Sequence, residues 1–280
     1  MNPFRNNLIS DYYRIINNIH REWQTEHYKK LGTSEPIECE HWVEISLTDA
    51  AYQFPLQAIT NLSSFPIHPI PMKYVGERMD RLQRYNGGTI INRPFLSVLD
   101  HTLRGYTAYK TRRDRNLVDV LEGLTGLYFL LHDIEETIIG DIIMPVEKAL
   151  GLDLRRYKEI IRGKLFLGMM LGANISSDRE WEFVLKQYMG QFTHPETKKK
   201  YLTEQNEIDH LSFCYEVQSQ AKLPLTMWEA TKQSTSFGLT IADLSSVSQN
   251  WRSIYYNQTT SAAEHWESCV LFEMKFVSEE

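Results

Sequence analysis

A chain of 280 residues, 42% hydrophobic and 24% charged, can bury a full core, and with 14 Gly and 10 Pro it does not read as fibrous or disordered. Its formal net charge of −6 gives no support to nucleic-acid binding through a generally basic surface. Cys39, Cys214 and Cys269 are scattered and form no CxxC pair, against a disulfide framework or zinc ribbon, and no signal-peptide pattern or long apolar run is visible, so a cytoplasmic chain without a membrane span is expected.

In chain order, residues 4–31 place Phe4, Leu8, Ile9, Tyr12, Ile15, Ile16, Ile19 and Trp23 at spacings of three and four, which predicts an amphipathic packing helix ending near Gly32. From there to Pro71 the pattern breaks up. Pro55, Pro66, Pro69 and Pro71 predict a turn-rich connector with room for a short strand or helix, and a boundary at residue 72 closes an N-terminal extension over 1–72. Arg78, Arg81 and Arg84 then recur every third residue ahead of Gly87-Gly88. Arg84 is the favoured phosphate-binding guanidinium of the three, because it stands nearest the glycine turn. Residues 95–111 read as a helix, with His101 inside the apolar series Phe95, Val98, Leu99, Leu103, Tyr106 and Tyr109.

The stretch from Leu127 to Val146 organises the rest. An apolar run leads into His132 and Asp133, and a continuous helix would set Glu136 one turn beyond His132 on the same face, with Gly140 ending the helix and Asp141 following. Ionised groups are costly to bury unless they are paired or hold a metal, so this grouping is itself a site hypothesis. Downstream, Lys148 to Met170 and Asp178 to Met189 read as packing helices, Thr193 to Lys200 as a solvated loop, and 205–218 as a helix carrying Asp209. Helices over 225–257, carrying Asp243, and 261–277 finish the chain. A core over 73–222 and a C-terminal helical extension over 223–280 packed on it are the expected organisation.

His101, then His132-Asp133, then a distant Asp, with the run His132-Asp-Ile-Glu-Glu-Thr-Ile-Ile-Gly-Asp141 and Met144-Pro-Val-Glu-Lys148 after it, resembles the HD superfamily of metal-dependent phosphohydrolases, in its 5′-deoxynucleotidase branch. The resemblance covers residues 78–220 and implies an all-α HD-domain helical bundle, here with N- and C-terminal extensions. It implies one divalent metal ion (Mn, Co, Zn or Mg) held by His101, His132, Asp133 and Asp209. Asp243 is the rival for the last ligand, and matches locally in Ala242-Asp-Leu-Ser-Ser246; it lies 110 positions from Asp133, against 76 for Asp209. The same likeness gives Glu136 the acid/base role and sets Asp141 beside it, towards the sugar of the substrate.

Arg84-Tyr85, with Arg93 nearby, is the match for the family's phosphate- and deoxyribose-binding Arg-Trp pair, Tyr85 standing where the family has Trp. The implied activity is removal of the 5′-phosphate from deoxynucleoside monophosphates, with the nucleotide as the small-molecule partner, neither nucleic acid nor membrane involved, and a homodimer or higher homo-oligomer expected. A dNTP triphosphohydrolase shares the metal core and would draw further cations from Lys110, Arg112, Arg113 and Arg115. A non-catalytic nucleotide-binding module is the remaining alternative.

Overall fold

The computed structural model describes residues 3–30, 32, 42–46, 57–61, 69–84, 96–115, 123–141, 154–221, 232–248 and 261–279, and over these the protein is all-α with one small hairpin. The helices are α1 (Pro3–Lys30), α2 (Met72–Arg81), α3 (Val98–Asp114), α4 (Gly123–Leu130), α5 (Glu136–Ile139), α6 (Leu154–Gly172), α7 (Asp178–Thr193), α8 (Pro195–Glu216), α9 (Ile241–Ser248) and α10 (Ala262–Glu279). In the stretch expected to be turn-rich, β1 (Trp42–Ser46) and β2 (Gln57–Asn61) pair antiparallel, Val43 opposite Thr60 and Ile45 opposite Ala58.

A single buried cluster runs from Ile9 and Ile16 of α1 to Val270 and Met274 of α10, so helices from both flanks share the core with the segment between them. Full burial of each such side chain contributes about 1.5–3 kcal/mol. α1 lies along α6, α10 packs on α2 and α4, and α8 packs on α4 and α3. Among the described residues no helix is long and apolar enough to cross a membrane.

α3 runs through the middle and is buried on nearly every side. Its start is fixed by a reciprocal cap: Ser97 Oγ accepts from the Asp100 amide at 2.9 Å, and an Asp100 carboxylate oxygen accepts from the Ser97 amide at 3.1 Å. Gly105 lets this helix close on its neighbours, because a Cβ there would fall 2.5 Å from Phe129 Cζ and 2.8 Å from Ser212 Oγ. His101, one turn earlier, is thereby brought against α4 and α8.

Four expectations change. The single helix over Leu127 to Gly140 is two pieces: α4 stops at Leu130, residues 131–135 are turns held by bonds such as Glu136 N to Asp133 O, and α5 begins at Glu136. Two side chains account for the break. Trp266 Nε1 donates to Leu130 O at 3.0 Å and His132 Nδ1 to Phe129 O at 2.6 Å, engaging carbonyls that a continuing helix would offer to its own amides. The loop expected over Thr193 to Lys200 is helical from Pro195, whose missing N–H costs nothing in a first turn. The helix expected to start at residue 205 is therefore the second half of α8, and it passes into a π-helical turn at Val217–Ala221. Finally, the described part of 225–257 is a turn closed by the Ser234–Thr240 bridge and then the short α9.

Candidate metal centre

His101 is fully buried on α3 and is held at both ring nitrogens. Its Nδ1 lies 2.7 Å from Glu216 Oε1, and its Nε2 faces Asp209 Oδ1 at 3.0 Å. The Glu216 carboxylate behind the ring is the partner that histidine ligands commonly use to fix tautomer and orientation. Glu216 itself is buried, which opposes its ionisation, but His101, Arg84 and Arg104 around it hold the carboxyl down to about 2.

His132 stands in the turn after α4, its ring stacked on Phe129 at 4.6 Å and 13°. Because Nδ1 donates to the Phe129 carbonyl, the neutral ring carries its lone pair on Nε2. That atom is buried and has no hydrogen-bond partner, although Asp133 Oδ2 is 3.0 Å away and Asp209 Oδ1 3.7 Å. Burial alone would lower the imidazole pKa, yet the facing Asp133 and Asp209 outweigh it and raise it to about 10. The same encounter holds both carboxyls well below the usual carboxylate range, against the effect of burial.

Ligand atoms of His101, His132 and Asp133 lie within 4.8 Å of one another. Asp209 adds an oxygen facing both imidazoles, with its side chain 40% exposed at the edge of the group. Two imidazole nitrogens and two carboxylates, one nitrogen buried without a hydrogen bond, fit a first-row divalent cation. Asp243 is elsewhere. One of its oxygens accepts from the Thr240 amide at 2.8 Å and hydroxyl at 2.6 Å, capping its own helix, and the other lies 3.5 Å from Arg112.

Glu136 is 3% exposed, and burial together with the nearby Asp133 charge pushes its carboxyl well above the ordinary value. Its Oε2 is buried without a hydrogen-bond partner, and Oε1 is 3.7 Å from Lys158 Nζ. Lys158 comes from α6, which the sequence marks only as a packing helix. Asp141 is buried directly after Gly140, whose φ of 78° lets the chain turn there.

Arg84 is positioned by backbone pairing of 82–84 with 96–98, through Arg84 N to Leu96 O at 3.0 Å and Val98 N to Leu82 O at 2.9 Å. Its guanidinium lies 3.3 Å from Asp133 Oδ2 and 4.0 Å from Glu216 Oε2. Tyr85 and Arg93 lie outside the described residues. No protein-family model, curated protein or solved structure matches this chain. The centre therefore has to be read from its own chemistry.

Of the cations expected to serve a longer phosphate chain, three are engaged elsewhere. Lys110 pairs with Asp114, Arg112 donates to Gly238 O at 2.7 Å, and Arg113 is bidentate on Glu273 at 2.7 Å. Arg104, which the sequence analysis did not single out, is buried one turn after His101. The available signal was its spacing of three from His101, which places both on one helix face.

Proposed function

We propose that the protein is a metal-dependent phosphohydrolase of the HD type that removes the 5′-phosphate from deoxynucleoside monophosphates. The observation that carries this reading is the convergence of His132 Nε2, the nitrogen left for a ligand because Nδ1 donates to Phe129 O, with Asp133, Asp209 and His101. His101, His132, Asp133 and Asp209 would hold the divalent ion. When bound, such an ion acidifies a water molecule and polarises a phosphoryl oxygen.

The protein's own groups supply the rest. Glu136, whose carboxyl favours the protonated form, stores a proton at a buried oxygen and can deliver it to the leaving 5′-oxygen as a general acid. Lys158, 3.7 Å from its other oxygen, orients that carboxyl. Arg84 offers a planar donor set to a phosphate oxygen while staying beside Asp133. Asp141, next to α5, accepts from the sugar. The free, buried thiols Cys214 and Cys269 suit a cytoplasmic protein.

The test is release of phosphate or triphosphate from dNMPs, NMPs and dNTPs with Mn, Co, Zn or Mg, for the wild type, Glu136→Gln, Asp209→Asn and Asp243→Asn. Phosphate from dNMPs is expected, with kcat lower by about 10²–10⁴-fold in Glu136→Gln. Asp209→Asn should lose its metal and Asp243→Asn should keep it. Triphosphate from dNTPs would replace this reading with the triphosphohydrolase one, and a metal-loaded protein silent on the whole panel would end the enzymatic reading.

A further inference from the structure

Arg104 enters the centre from a side that the chemistry above leaves unused. The residue is 5% exposed, its guanidinium carbon lies 5.2 Å from the centroid of the Tyr215 ring, and Nη1 is 3.9 Å from Glu216 Oε1. That separation is too long for a hydrogen bond, and Glu216 Oε1 is already within 2.7 Å of His101 Nδ1. Arg104 Nε and Nη1 are both buried with no hydrogen-bond partner. Buried Arg113 differs, gripping Glu273 with two bonds of 2.7 Å, as does the part-buried Arg162, which grips Glu135 at 2.9 and 2.6 Å. Donors left unmade in a protein interior are costly, and a fork of charged donors is matched by a phosphate or carboxylate. Arg84 approaches the other oxygen of the same carboxylate, 4.0 Å from Glu216 Oε2. Two guanidiniums therefore bracket one carboxylate beside the candidate metal ligands.

We propose that Arg104 and Arg84 form an anion subsite for a phosphate monoester, Arg104 being the residue that recognises its second negative charge. This rests on the phosphohydrolase reading and adds to it the group that tells a monoester from a diester. A monoester presents three terminal oxygens and close to two charges at neutral pH, whereas a diester has two such oxygens and one charge. The metal ligands and Arg84 serve either ester; the additional buried guanidinium rewards only the third oxygen. Monoesters are the class selected, and phosphodiesters are disfavoured.

The experiment is calorimetric titration of inorganic phosphate into the wild type, Arg104→Met and Arg104→Lys, metal-loaded and metal-stripped, with the melting midpoint of each protein measured without phosphate. Arg104→Met should bind phosphate about 10–100-fold more weakly, the loss expected for a charged hydrogen bond, while melting no lower than the wild type. Arg104→Lys keeps the charge without the fork and should fall between the two. Unchanged affinity in either variant overturns the subsite. So does weaker binding that comes with a lower midpoint in the absence of phosphate, which would make Arg104 a structural partner of Glu216. Phosphate binding that depends on Arg104 without turnover of any nucleotide would keep the subsite and remove the hydrolase reading. Hydrolysis of dNMPs with phosphate binding indifferent to Arg104 would do the reverse.

Discussion

Helix α3 carries two buried polar clusters, one on either side of its middle, and they are built on opposite principles. At Tyr106 and Arg113 it meets Glu273 of α10, which is 0% exposed: Tyr106 Oη donates to Oε1 at 2.6 Å, and Arg113 donates to both carboxylate oxygens at 2.7 Å. Charge is matched and each carboxylate oxygen is used. At His101 and Arg104 the same helix meets Glu216, Asp209 and the His132 turn, where His132 Nε2, Glu136 Oε2 and two Arg104 nitrogens are buried without hydrogen bonds. A closed cluster fastens one element to another. An open one holds valence in reserve for something outside the chain, and natural proteins tolerate such groups at functional sites.

The largest way to break this contrast is Glu273→Ala, which strands Arg113 in the interior. Chemical denaturation should show a loss of about 3–5 kcal/mol, because removing one partner of a buried pair leaves the other uncompensated. Metal affinity of the folded fraction should not change; if it fell together with stability, the two clusters would be one unit. Glu216→Gln sharpens the comparison from the other side. Loss of the carboxylate behind His101 should weaken metal binding about 10–100-fold in a competition titration, the range for partners that orient a ligand.

The smallest expected effect concerns a histidine set among aromatic rings and near a lysine. His20 is packed with its ring centroid 5.9 Å from those of both Trp23 and Tyr157, and burial, with the Lys164 charge, pushes it down to about 4 from 6.5. The folded state thus resists protonation that the unfolded chain accepts. Its contribution is complete above pH 6.5 and is lost as pH falls towards about 4, a change of about 1–2 kcal/mol after allowance for solvent screening. His20→Phe should flatten that part of the stability profile, whereas an unaltered slope would show that other groups set it. The opposite displacements of His20 and His132 separate an imidazole that merely packs from one that faces carboxylates.

Much of the centre was legible because its signal is local. His132, Asp133 and Glu136 sit within five residues of sequence, and the structure buries His132 and Glu136 and half-buries Asp133 around the turn. The choice of Asp209 over Asp243 rested on spacing, but a physical cue was also present: Thr240-Ile-Ala-Asp243 is a capping pattern, and Asp243 uses it. The break after Leu130 was not legible, since residues 131–135 contain neither Gly nor Pro and the carbonyl of Leu130 is engaged by an indole 136 positions away. Arg104 and Lys158 were missed for a related reason. A single cation on a helix reads as solvent-facing until a distant element, here α8 or α5, covers it.

That indole has a consequence for the order in which the protein comes into being. His101, His132, Asp133 and Asp209 all leave the ribosome before Trp266 does, yet Trp266 is completely buried and clasps the last carbonyl of α4, two residues ahead of His132. The nascent chain thus carries every candidate ligand while lacking the side chain that shapes the turn between them. The turn between the candidate ligands therefore takes its shape only once α10 has docked on α4.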